Sequence, residues 1–192
     1  MSRWQFVKQF CREPKRIGAI APSSSKLARR MLQPINFSRL KVIVEYGSGT
    51  GAFTRQVVER IDPEKTLFFG FELNEQMNRI ACENVPGIRI FQDSAAEIRK
   101  YLRRYGVKHA DAVISGLPWA VFSEELQDDI LYETVASLKR GGIFTTFAYL
   151  HGLLLPSGIR FRRKLERYFS EVKTSPVVWN NIPPALVYWC RK

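Results

Sequence analysis

Residues Lys41 to Thr54, KVIVEYGSGTGAFT, constrain this chain more than any other stretch. Val42, Ile43 and Val44 form a β-branched apolar run of the kind buried on both faces of a parallel sheet. Glu45 closes the run, Gly47, Gly49 and Gly51 follow at every second position, and a helical pattern opens near Phe53. A strand, a glycine-rich turn and a helix start make the opening of a nucleotide-binding βαβ unit. Glycine there lets the backbone pass close to a ligand and take positive φ without steric cost. The G-x-G-x-G spacing differs from the dinucleotide fingerprint, and no Lys-Ser/Thr follows to hold a phosphate. An acidic residue directly before the glycines suits a ligand carrying an amine or ammonium. The competing reading is a plain structural turn.

Strands and helices alternate beyond this unit. Thr66 to Phe71, Ile88 to Phe91, Asp111 to Ser115 and Ile143 to Tyr149 read as strands. Phe53 to Arg60, Glu75 to Asn84, Ala95 to Arg104 and Glu124 to Leu138 read as the helices between them. Two further strands, Val172 to Trp179 and Ala185 to Cys190, make a hairpin-like end around Asn180-Asn181-Ile182-Pro183-Pro184. The pattern predicts one three-layer α/β/α domain over 1–192, with 1–35 as an N-terminal amphipathic and cap segment. In that segment Trp4, Val7, Phe10 and Cys11 share a helical face. The cations around them suit either an anionic membrane interface or a cap over the domain's own site. One of Ser23, Ser24 or Ser25 caps the helix that follows.

Ligands of such sheets bind at the C-terminal strand ends, and the candidate residues gather there. Glu72 lies 23 residues beyond Gly49, where an acid can accept from both hydroxyls of a ribose; the alternative is a surface Glu at a helix entry. Asp93 either accepts from an adenine amine or caps the next helix. Gly116-Leu117-Pro118-Trp119 follows the fourth strand. Pro118 holds Leu117 extended, so the loop can offer carbonyls and an aromatic face, although Trp119 in such a place can equally plug the loop. His151 is either a base or structural.

Charge is the compositional outlier. Thirty Lys and Arg against 18 Asp and Glu give +12 over 192 residues, which favours an anionic partner, nucleic acid or acidic lipid. Arg160, Arg162, Arg163, Lys164 and Arg167 load one helix, as a solvated face or a phosphate-facing patch. Cys11, Cys82 and Cys190 are odd in number and without a C-x-x-C pair, as expected of reduced thiols in a cytoplasmic protein with no metal site. The longest apolar run, Gly142 to Leu155, is broken by His151 and too short to span a bilayer.

E-x-G-x-G-x-G, Glu72, Asp93 and the Leu-Pro-aromatic loop, in this order, resemble a Rossmann-like class I methyltransferase. That resemblance implies S-adenosyl-L-methionine as cofactor and a seven-stranded sheet of order 3-2-1-4-5-7-6 with the last strand antiparallel. The Leu-Pro-Trp loop is similar to that of the rRNA adenine dimethylases, but Gly116 stands where those enzymes carry the Asn that holds the target amine. IGAIAPSSSKLARRM, EYGSGTGAFT, SGLPW and NNIPPALVYWCRK together resemble the bacterial phospholipid N-methyltransferases, which methylate phosphatidylethanolamine. Ornithine-lipid methyltransferases share that scaffold. The resemblance implies cofactor binding by Glu45, Tyr46, Gly47, Ser48, Gly49, Gly51, Glu72, Leu73, Asp93, Ser94 and Ser115. It implies methyl transfer beside Ser115, Gly116, Leu117, Trp119 and Tyr149. Lipid phosphate would lie on Arg12, Lys15, Arg16 and the Arg160 to Arg167 cluster, at the inner face of a membrane. An RNA adenine methyltransferase and a small-molecule amine methyltransferase are the alternatives.

Overall fold

A computed structural model describes residues 24–192. The reading of residues 3–12 as an amphipathic helix, with Arg12, Lys15 and Arg16 on lipid phosphate, lies outside the described residues. In chain order the elements are α1 (Ser25–Leu32), β1 (Val42–Tyr46), α2 (Ala52–Val58), β2 (Leu67–Phe71), α3 (Glu75–Asn84), β3 (Ile90–Phe91) and α4 (Ile98–Arg104). There follow β4 (Ala110–Ser115), α5 (Glu124–Ser137), β5 (Leu138–Tyr149), α6 (Pro156–Tyr168), β6 (Glu171–Thr174) and β7 (Ala185–Arg191). The strands form one seven-stranded sheet in the order β3-β2-β1-β4-β5-β7-β6. β1 to β5 are parallel, and β7 runs antiparallel to both β5 and β6.

Alternation along β1 divides the core. Val42, Val44 and Tyr46 face α4, α5 and α6, packing with Ile98, Leu131, Phe161 and Leu165. Ile43 faces the other layer, where Leu27 and Met31 of α1 and Phe53 and Val57 of α2 cover the sheet. All five β1 residues are buried, as a strand between two helical layers requires. Ser24 is the α1 cap, its side chain accepting from the Leu27 N–H.

Several boundaries differ from the sequence pattern. β5 begins at Leu138 because Leu138 pairs with Ala110 before the register shifts at Ala112. Gly141, at φ 72°, absorbs that irregularity. β6 stops at Thr174 because Pro176 has no N–H to donate, and Val178 rejoins the sheet only through a bridge to Ala185. The helix after β3 is capped by Ser94, whose hydroxyl accepts from the Ala96 N–H, rather than by Asp93.

Candidate cofactor and methyl-transfer site

The loops after β1, β2, β3 and β4 meet at one end of the sheet. Gly47, Gly49 and Gly51 all take positive φ, 67°, 54° and 88°, folding the loop back so that the Gly47 and Ser48 amides donate to the Phe71 carbonyl at 2.8 and 3.3 Å. A Cβ on Gly49 would meet no atom within 4 Å. The backbone there borders open space beside Glu72, which is only 9% exposed.

Glu72 ties two of these loops together. Its Oε2 accepts from the Gly49 N–H and its Oε1 from the Asn74 N–H, each at 2.9 Å. Burial raises its carboxyl above the ordinary carboxylate range, and those N–H groups offset only part of the rise. Each oxygen keeps a lone pair for a further donor. The sequence pattern does not show Asn74, whose amide completes this clamp.

Glu45 lies fully buried beneath the glycine loop. Its Oε2 accepts from Thr54 Oγ1 at 2.6 Å and Ser48 Oγ at 3.1 Å, while Oε1 has no partner. Desolvation pushes the carboxyl up to about 7 against the lowering effect of the two hydroxyls, and the charge of Glu72 adds to the rise. Thr54 escapes sequence reasoning: as the third residue of α2 it reads as an ordinary helix position. An orphaned buried carboxylate oxygen near an open cradle fits a ligand that brings its own cation.

Asp93 is held on three sides. Its Oδ1 accepts from the Ser94 N–H at 2.8 Å, and its Oδ2 from Lys100 Nζ and Tyr101 Oη, each at 3.0 Å. Partial burial pushes its pKa up, but these donors outweigh it and hold the carboxyl below the usual range. The Ser94 amide is thus already engaged by Asp93. Leu73 is half-buried beside Glu72, and its carbonyl accepts from Gln92 Nε2 at 3.5 Å.

The loop after β4 lies against the glycine loop. The Gly116 N–H donates to the Tyr46 carbonyl at 2.7 Å, and a Cβ at Gly116 would come within 2.7 Å of the Gly47 carbonyl oxygen. Leu117 packs over Gly47, and its carbonyl accepts from the Trp119 N–H at 3.0 Å. Gln127 of α5, buried and invisible as a functional residue in the sequence, donates to the Trp119 carbonyl at 2.7 Å and pins the loop from behind.

One expected role is corrected by side-chain direction. Trp119 is 2% exposed, stacks on Phe161 at 5.0 Å and donates its Nε1–H to Ser115 Oγ at 3.0 Å. Its ring plugs the core and shapes the loop instead of offering a face to a cation. Tyr46 also points into the core, its hydroxyl 3.1 Å from Thr134 Oγ1. Tyr149, at the end of β5, is half-buried and stacks on the exposed His151 ring at 5.7 Å. The basic run on α6 is largely paired: Arg160 with Glu124 at 2.9 Å, Arg162 with Glu166 at 3.0 Å and Lys164 with Asp128 at 2.7 Å. Among the described residues no helix is long and apolar enough to cross a membrane.

No family model matches the chain. It is similar to an ornithine lipid N-methyltransferase of Singulisphaera acidiphila, 29% identical over 189 residues that cover 97% of this chain and 94% of that protein. Among solved structures it is similar to the N-methyltransferase NodS of Bradyrhizobium japonicum (TM-score 0.64, 13% identity, 88% of this chain and 93% of that one). It is also similar to an rRNA methylase of Streptococcus thermophilus (TM-score 0.62, 14% identity, 90% and 98%). A TehB-like methyltransferase of Corynebacterium glutamicum gives TM-score 0.62 at 13% identity, over 99% and 98% of the two chains. These neighbours agree in architecture. The chain has the Rossmann-like fold of the class I methyltransferases.

Proposed function

We propose that this protein is an S-adenosylmethionine-dependent N-methyltransferase acting on the amine headgroup of a membrane lipid, phosphatidylethanolamine or an ornithine lipid, at the inner membrane surface. The observation that carries the reading is the near full-length similarity to an ornithine lipid N-methyltransferase. The site supports it. Glu72 would accept from the ribose hydroxyls, Asp93 from the adenine amine, and the free oxygen of Glu45 from the cofactor's ammonium. Bound cofactor supplies an electrophilic methyl group on its sulfonium.

The chain's own work is then mostly positioning. Close packing against Gly47 leaves no room for a side chain at Gly116, so the loop after β4 presents backbone carbonyls to an incoming amine. The Ser115 and Leu117 carbonyls, with Tyr149 on the adjacent strand, would stabilise the positive charge growing on nitrogen. An amide side chain of the kind that grips adenine is missing at Gly116, which favours a flexible aliphatic amine over a base. The amine arrives as ammonium and loses its proton to water at the interface; His151 is exposed and is not required for that step.

Labelled S-adenosylmethionine offered with vesicles containing phosphatidylethanolamine, vesicles containing ornithine lipid, and deproteinised RNA tests the reading. Label in lipid, reduced at least about a hundredfold by Glu72→Ala, is the expected result. Label in RNA with both vesicle samples silent would overturn it.

A further inference from the structure

Seven large apolar side chains stand exposed among the described residues, and five of them fall in two short segments. Leu154, Leu155 and Ile159 lead into and begin α6; Trp179 and Ile182 lie between β6 and β7. Leu154 is 86% exposed and Ile182 80%. The Leu150 N–H donates to the Pro184 carbonyl at 2.8 Å. That bond joins the two segments where β5 ends and β7 begins, the end of the sheet at which the site loops open. Isolated exposed leucines are ordinary on a protein surface; apolar tips concentrated along one rim are not.

Cations lie on both helical layers behind the rim. On α6, Arg163 and Arg167 follow Ile159 at i+4 and i+8, on the face opposite the buried Phe161 and Leu165. Neither has a carboxylate partner among the described residues. On the other side, Trp179 borders a cavity of about 600 Å³ whose wall includes Lys26, Arg29, Arg30 and Arg60 and contains no acidic residue. Apolar tips and an exposed tryptophan at the end of the sheet, with cations along the two helical layers behind them, match an anionic bilayer. Leucine and isoleucine enter the acyl boundary, tryptophan rests at the headgroups, and the cations meet phosphate.

We infer that the rim formed by Leu154, Leu155, Ile159, Trp179 and Ile182 is a membrane-docking surface for anionic bilayers. It holds the C-terminal end of the sheet against the lipid headgroups. The inference rests on the lipid-amine reading above and adds to it an orientation: the mouth of the site faces the plane in which the amines lie.

The test is sedimentation of the full chain with phosphatidylethanolamine/phosphatidylglycerol vesicles, using Leu154→Ser with Leu155→Ser, and separately Trp179→Ser with Ile182→Ser. Each double variant should keep the wild-type melting midpoint and partition about tenfold more weakly onto vesicles. Methyl transfer to vesicle lipid should fall in parallel, while transfer to monomeric short-chain phosphatidylethanolamine stays within about twofold of wild type. Wild-type vesicle binding by both variants overturns the docking surface. So does a wild-type protein that ignores vesicles but binds RNA through Arg163 and Arg167, as read by Arg163→Gln with Arg167→Gln. Vesicle binding that depends on the rim, with no lipid methylated by any form, sustains the surface and removes the substrate assignment instead.

Discussion

Glu45 is fully buried with one carboxylate oxygen unpaired, and burial pushes its carboxyl up to about 7. The pH dependence has opposite signs for stability and for binding. A carboxyl raised from 4.5 to about 7 contributes stability fully below 4.5 and loses it as pH rises through 7. Attraction for a ligand ammonium needs the ionised form, so cofactor affinity should rise with pH, by roughly tenfold per unit below the midpoint, and level off above it. Calorimetric titration from acid to weakly alkaline buffer checks this. Glu45→Gln should flatten the profile, and Thr54→Val, which removes the 2.6 Å donor, should move the midpoint higher. Two glycines separate strain from occupancy. Gly116→Ala would drive a methyl group into the Gly47 carbonyl and should cost about 1–3 kcal/mol of stability. Gly49→Ala meets no atom and should cost only about 1–2 kcal/mol for its left-handed φ, yet its cofactor affinity should fall at least as far, because the methyl group fills the cradle. Thermal melts beside binding curves distinguish the two. The glycine turn was legible because its positive φ is written in residue type and spacing. Tyr46 and Trp119 were not, since whether an aromatic at a strand end faces ligand or core depends on sheet register and on which helix lies behind it.

At the scale of elements, the site end of the sheet is loops and the opposite end is a clasp. Asp111 Oδ2 accepts from the Lys41 and Val42 amides, each at 2.8 Å, and Lys139 pairs with Oδ1. One carboxylate thus anchors the starts of β1, β4 and β5. Partial burial pushes the Asp111 carboxyl up, but Lys139 and the two amides outweigh that and hold it below the ordinary range. Its contribution is therefore present at neutral pH and lost as pH falls through the carboxylate range toward the lower folded value. Asp111→Ala should lower stability by about 2 kcal/mol at neutral pH, with a smaller deficit in acid and little change in methyl-transfer rate at low temperature. Denaturant melts at two pH values would show it. The strands themselves were readable from their apolar runs, because a strand covered on both faces has little choice of residue. The early start of β5 and the early end of β6 were not, because a bulge at Gly141 and a proline at 176 act through pairing partners far away in sequence.

For the molecule as a whole, the +12 charge named a class of partner but not a face. Much of the α6 basic run is consumed by Glu124, Asp128 and Glu166, which only the folded arrangement reveals. The sheet order has a further consequence. β7 lies between β5 and β6, although β6 precedes it in the chain. During synthesis β5 therefore emerges with an open edge that β6 cannot close, because β6 makes its ladder only with β7. Trp189, which donates its ring N–H to the Arg30 carbonyl at 2.9 Å and so fastens α1 to β7, also arrives late. The nascent chain thus waits on residues 185–191 before the β5 edge is covered and the α1 layer secured. A ribosome that stalls short of Ala185 would release a polypeptide with an unpaired, apolar β5 edge, a natural client for chaperones and proteases.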